Sequence, residues 1–102
     1  MLCALTVRTL EPGTFEQFRD AFTQDFDEDR PPEGWVRFDM VRNVENPDEV
    51  ICFGFFDGDV EALRASAAAD AGRERQQAAI APFVRSLGAD GLYEIAVEYA
   101  KE

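Results

Sequence analysis

The stretch WVRFDMVRNVENPDEVICFGFF, residues 35–56, decides the fold. Its first ten residues alternate. Val36, Phe38, Met40 and Val44 fall on one parity, and Trp35, Arg37, Asp39 and Asn43 on the other, which is the period of two of a half-buried strand. Glu45-Asn46-Pro47-Asp48 follows with turn chemistry, since Pro presets φ and Asn and Asp side chains bond their own backbone. Glu49 to Phe56 is then almost continuously apolar, as in a strand buried on both faces. The segment reads as a β-hairpin.

Upstream, Leu2 to Leu10 is rich in β-formers and stops at Glu11-Pro12-Gly13, a strand followed by a turn. Thr14 and Gln17 have the spacing of a capping box, and Phe15, Phe18, Phe22 and Phe26 recur at intervals of three and four. These predict an amphipathic helix over 14–24, with the phenylalanine stripe packed on the sheet. Residues 25–34 read as a solvated acidic loop. Asp25, Asp27 and Asp29 imitate the start of a calcium loop, but Arg30 stands where its turn needs Gly and Val36 where its closing Glu belongs.

Downstream, Asp57-Gly58-Asp59 offers N-cap residues for helix over 59–87, in two pieces relaxed near Gly72. Pro82 disrupts it and Gly88 is placed to end its last turn. Leu92 to Ala100 sets Tyr93, Ile95, Val97 and Tyr99 against Glu94 and Glu98, a final strand.

The order β-α-β-β-α-β within 1–102 predicts a single α+β domain. It is the ferredoxin-like arrangement, a four-stranded antiparallel sheet in the order 4-1-3-2 with both helices on one face. Parity assigns Cys3, Leu5, Val7, Val36, Phe38, Met40, Ile51, Phe53, Phe55, Tyr93, Ile95 and Val97 to the helix-facing side. The opposite side, with Leu2, Ala4, Trp35, Val41, Val50, Cys52, Phe56 and Leu92, is too apolar for open water. A homodimer closing sheet against sheet, a dimeric α+β barrel, is therefore expected. Cys3 and Cys52 fall on opposite faces, which excludes a disulfide between them.

Composition narrows the function. Ten Lys and Arg against 21 Asp and Glu give a net charge of −11, which repels a phosphate backbone, so no nucleic-acid partner is expected. No apolar run approaches the length of a membrane span, and the N-terminus lacks the basic region of a signal peptide. The expected location is the cytoplasm. The chain has no histidine, which removes the usual imidazole base, the commonest metal ligand and a proximal haem ligand. No metal and no cofactor are expected.

The order of elements, the turn Asn46-Pro47-Asp48 and the run Phe56-Asp57-Gly58-Asp59-Val60-Glu61-Ala62-Leu63 resemble the antibiotic biosynthesis monooxygenase family of dimeric α+β barrels. The resemblance implies a barrel in which some members oxidise polycyclic phenols without a cofactor, while related barrels degrade haem or isomerise lactones. The chain departs from the family where it has Phe56 in place of a frequent Trp and, roughly, Ala65 in place of a frequent His. Thr6 or Arg8 stands where some members carry an Asn.

Oxidation of a quinol-type substrate requires a pocket that favours the phenolate and stabilises it with a cation or dipole. Arg8 and Arg37 are the candidate cations and Asn43 the candidate orienting amide. Trp35, with Thr6, Asp39, Phe56 and Glu94, would contact a small aromatic substrate. Two other readings compete. Desolvated Asp39, Glu94 or Glu98 could serve an isomerase as general base. Alternatively, Arg8 and Arg37 pair with these acids in a structural network, and the dimer binds a small ligand or scaffolds an association without catalysis.

Overall fold

The computed structural model describes residues 1–26, 34–68 and 71–101. The elements are β1 (Leu2–Leu10), α1 (Phe15–Thr23), β2 (Trp35–Arg42), β3 (Glu49–Phe56), α2 (Val60–Ala68), α3 (Ala71–Ile80) and β4 (Val84–Glu94), with a 3-10 turn at Ala81–Phe83 before β4. All strand pairs are antiparallel and the sheet order is β2-β3-β1-β4, the expected topology. Among the described residues no helix is long and apolar enough to cross a membrane. Most of the predicted acidic loop, residues 27–33, and residues 69–70 of the second helical stretch lie outside the described residues.

Two local expectations are corrected. The capping box is not formed, because the Thr14 hydroxyl donates to the Glu11 carbonyl at 2.7 Å instead of accepting from the helix. Asp59 does cap α2, its carboxylate accepting from the Ala62 amide at 2.7 Å. The last helix ends at Ile80 and the last strand covers 84–94 rather than 92–100. Pro82 lies inside the 3-10 turn, and the Glu11 amide donates to the Phe83 carbonyl at 2.8 Å, which starts pairing with β1 at once. Gly88 sits in the strand where the register shifts between Thr6↔Asp90 and Arg8↔Leu87, a bulge and not a helix end. Beyond β4, the amide of Ile95 still donates to the Met1 carbonyl, but Val97 and Tyr99 are exposed.

The helix-facing side is also corrected. The buried core joins Phe18 and Phe22 of α1 and Ile80 of α3 to Leu10, Val50 and Cys52 of the sheet, with Phe38 and Met40 packed against it. The helices thus cover the even-numbered residues of β1 and β3. Leu5, Val7, Ile51, Phe53 and Phe55 lie on the uncovered side. β2 does not keep strict parity, because its register shifts between Trp35↔Phe56 and Arg37↔Phe55. The extra residue brings Trp35 onto the same face as Phe38. Cys3 and Cys52 are both buried, unbridged and on opposite faces, as the parity of β1 and β3 requires.

The two apolar parities differ in bulk rather than polarity. Ile51, Phe53 and Phe55 outweigh Val50, Cys52 and Gly54, so choosing the bulkier set as core selects the wrong side. Small residues suit the helix-facing side because the helices stand off from the sheet there and leave a cavity.

Candidate functional site

That cavity has a volume of about 890 Å³ and lies within one chain, between sheet and helices. Its floor is Ala4, Thr6 and Arg8 of β1, Cys52, Gly54 and Phe56 of β3, and Asp90 and Leu92 of β4; α2 and α3 close it with Leu63, Arg64, Arg73 and Gln76. It falls in the range of small-molecule sites, which are concave and mainly apolar with a few placed polar groups. The space follows from the floor's small side chains. A Cβ on Gly54 would stand 3.3 Å from the Trp35 ring, so glycine lets the indole lie against the strand. Gly34, with φ +90°, ties the start of β2 to the end of β3: its carbonyl accepts from the Asp57 amide at 2.7 Å, and any Cβ there would meet the Asp57 carbonyl oxygen at 2.5 Å.

Arg8 is the polar centre. It is 5% exposed, its Nη1 donates to Thr6 Oγ1 at 2.7 Å, and its guanidinium lies 5.9 and 5.7 Å from the ring centroids of Phe18 and Phe22. Among the described residues it forms no ion pair. A buried cation is ordinarily compensated by a carboxylate; this one meets a hydroxyl and two ring faces instead. Cys52, the cross-strand partner of Thr6, is the neighbouring thiol. Burial pushes its pKa up, against the opposing pull of Arg8 and of hydrogen bonds from Thr6 and Arg8, so at neutral pH it is a protonated wall residue.

Aromatic rings form one wall. Phe38 stacks on Phe22 (centroids 5.2 Å apart, 22° between planes) and lies nearly parallel to Trp35 (6.4 Å, 13°). Phe56 meets Trp35 edge-on at 5.1 Å, and Phe26 meets Phe38 edge-on at 5.3 Å. Such faces receive a planar ring by offset stacking. The phenylalanine stripe of α1 and the turn after it therefore does double duty, with Phe18 and Phe22 in the core and Phe22 and Phe26 on the cavity wall. Gln76 Nε2 donates to the Phe22 carbonyl at 2.9 Å and ties α3 to α1 above the cavity.

Of the residues singled out from the sequence, Arg8, Thr6, Trp35 and Phe56 come together on this cavity. The others lie elsewhere, Glu98 exposed beyond the end of β4. Arg37 and Asp39 pair with each other on the uncovered side, Arg37 5.4 Å from the Phe55 ring centroid. Asn43 builds the hairpin turn, its Oδ1 accepting from the Glu45 and Asn46 amides at 2.8 and 3.2 Å. Glu94 is exposed at the end of β4. The cavity adds Asp90, Arg64 and Arg73, which the sequence reading passed over. Asp90 sits directly across from Thr6 in the β1–β4 ladder, and only placing β4 at 84–94 reveals it. Among the described residues no cluster of three or more His, Cys, Asp or Glu side chains could hold a metal ion.

No protein-family model matches the sequence, and no curated protein matches it closely. Solved structures match the fold over almost the whole chain. A protein from Bordetella bronchiseptica, provisionally named an antibiotic biosynthesis monooxygenase, superposes with a TM-score of 0.78 at 10% identity, covering 94% of this chain and 97% of that one. The fold is that of the antibiotic biosynthesis monooxygenases. A likewise named protein from Deinococcus radiodurans gives 0.76 at 14% identity over 100% and 99% of the two chains. SnoaB, a cofactor-independent oxygenase from Streptomyces nogalater, gives 0.72 at 18% identity over 98% and 97%. At such identities the likeness speaks for the fold, and the chemistry must be argued from the cavity itself.

Proposed function

We propose that the chain is a cofactor-independent oxygenase whose cavity takes a planar phenolic substrate. The observation that carries this reading is the buried Arg8, without a carboxylate partner among the described residues, at the floor of an aromatic-walled cavity. Its likeness to SnoaB supports the choice of reaction class.

In the proposed reaction, Asp90 accepts a proton from the substrate and Arg8 stabilises the resulting oxyanion. The carbanion-like ring then passes an electron to dioxygen, and the two radicals combine at carbon. Loss of water leaves a new carbonyl, so an anthrone and O₂ give an anthraquinone and H₂O with no external reductant. Thr6 fixes the guanidinium, while Trp35, Phe38 and Phe56 hold the ring. Preorganised charge at a developing oxyanion is worth about 10²–10³ in rate. We propose further that the working form is a homodimer packed through the uncovered face around Ile51, Phe53 and Phe55.

Oxygen uptake with dithranol, a dihydroxyanthrone, tests the reaction in buffer without added metal or cofactor. The expected result is consumption faster than the spontaneous rate, with Arg8→Gln slower by about a hundredfold. A wild-type rate equal to the spontaneous one would overturn the oxygenase reading and leave a ligand-binding protein.

A further inference from the structure

The chain contains two Asp-Gly pairs, Asp57-Gly58 and Asp90-Gly91, and no Asn-Gly pair. Glycine has no side chain to shield its amide nitrogen and lets the backbone around it turn freely, so in such a pair that nitrogen can reach the aspartate side-chain carbon. The fold treats the two pairs differently.

Asp90 and Gly91 lie inside β4, opposite Thr6 and Leu5 in the ladder with β1. Extended pairing fixes the backbone between them, and turning the Gly91 nitrogen toward the Asp90 carboxyl means breaking that pairing. A Cβ on Gly91 would also lie 3.5 Å from the Tyr93 ring, so its surroundings are occupied. Asp57 and Gly58 stand between β3 and α2, exposed and outside the ladder. The Asp57 amide is anchored to the Gly34 carbonyl at 2.7 Å, and Asp59 is anchored by its cap on the Ala62 amide at 2.7 Å. Between these anchors, among the described residues, the Asp57 carboxylate has no hydrogen bond or ion pair and the Gly58 amide donates to nothing. A Cβ on Gly58 would meet nothing within 4 Å, which leaves room for a ring to close. The segment leads into α2, none of whose described side chains belongs to the buried core, so little packing resists movement of its first turn.

We propose that Asp57-Gly58 is a site of spontaneous isoaspartate formation in the folded protein, and that Asp90-Gly91 is not. The Gly58 nitrogen forms a bond to Asp57 Cγ, and its proton leaves with a hydroxyl of the protonated carboxyl as water, which closes a succinimide. Water then adds to one of the ring carbonyls. Addition at the Asp57 backbone carbonyl carbon breaks that carbon's bond to the Gly58 nitrogen, so the chain afterwards runs through Cβ and Cγ and the former backbone carbonyl becomes a free carboxylate. One water leaves and one enters, and nothing is oxidised or reduced. The product lengthens the backbone between the Gly34 anchor and the Asp59 cap by one carbon, and it presents on the surface the isoaspartyl carboxylate that repair methyltransferases recognise. The pair does not line the cavity, so the proposal stands whatever the cavity binds.

The test is ageing of the folded protein in neutral buffer below its melting temperature. Isoaspartate is quantified by enzymatic methyl transfer from labelled S-adenosylmethionine and located by peptide mapping. The incubation runs until the same chain unfolded in guanidinium chloride shows isoaspartate at both positions. In the folded protein the modification is expected at residue 57 while residue 90 stays aspartate. Gly58→Val, whose side chain the open space accommodates and whose branching shields the nitrogen, should lose most of the signal at residue 57. Absence of isoaspartate at residue 57 of the folded chain, formation at residue 90 as fast as at 57, or an undiminished signal in Gly58→Val would each overturn the proposal.

Discussion

A guanidinium that is 5% exposed, with a threonine hydroxyl and two phenylalanine faces as its neighbours, costs the fold desolvation energy that no described carboxylate returns. On the proposed reading this charge serves a ligand at the expense of the fold, and stability should reflect that. Replacing Arg8 with Met preserves most of the volume and removes the buried charge. The expected result is a variant more stable by about 1 kcal/mol, a rise of several degrees in melting temperature, that no longer binds danthron, a dihydroxyanthraquinone. A loss of about 3 kcal/mol in a thermal melt would instead make Arg8 a structural cation. The sequence made Arg8 visible as a cation on a strand but could not show what lies near it. Arg37 looked equivalent, and only the side of the sheet distinguishes them. That side turns on one residue inserted near Val36, which no periodicity announces.

At the scale of elements, β3 carries the most legible and the most misleading information. Its run from Glu49 to Phe56 identified the hairpin, the central strand and the sheet order. Its two faces could not be ranked from sequence, because the heavier set, Ile51, Phe53 and Phe55, lies away from the helices. Gly54 explains why the lighter face works: a cavity floor needs missing atoms. Gly54→Val should place methyl groups against the Trp35 and Phe56 rings, where even a Cβ would come within 3.3 and 3.4 Å. The expected outcome is at least a tenfold loss of danthron affinity with a shifted Trp35 emission and a stability cost of about 1–3 kcal/mol. Unchanged affinity would mean that the ring binds elsewhere. The boundary of β4 was illegible for a different reason. Gly88 and Gly91 have the composition of a helix stop, and a strand that tolerates bulges can absorb both.

For the whole molecule, the uncovered face of the sheet is the outstanding surface. Leu5, Val7, Ile51, Phe53 and Phe55 are half-buried there, while Val41 and Tyr93 beside them are 42% and 48% exposed. An apolar sheet face without a partner is what led to the expectation of a dimer. The structure exchanges the two faces, and the side it leaves open is the bulkier one. Light scattering should give a mass twice the 11.4 kDa of one chain. Phe53→Asp should yield monomers, because an ionised carboxylate cannot be buried in an apolar contact without a partner. Salt should strengthen the association by screening the repulsion between two chains of charge −11. A wild type that remains monomeric at high concentration and high salt would dismiss the dimer without touching the cavity, which lies within one chain.

The claim on which all else depends is that the cavity stabilises a phenolate through Arg8. The visible spectrum of danthron reports its ionisation directly, so a pH titration of the bound dye against the dye in buffer measures that stabilisation. A cation within contact distance lowers the phenol pKa by about 1–3 units, and the account predicts a downward shift of that order in the wild type that is absent in Arg8→Gln. A bound dye that ionises at the same pH as in buffer, or at a higher one, would contradict it.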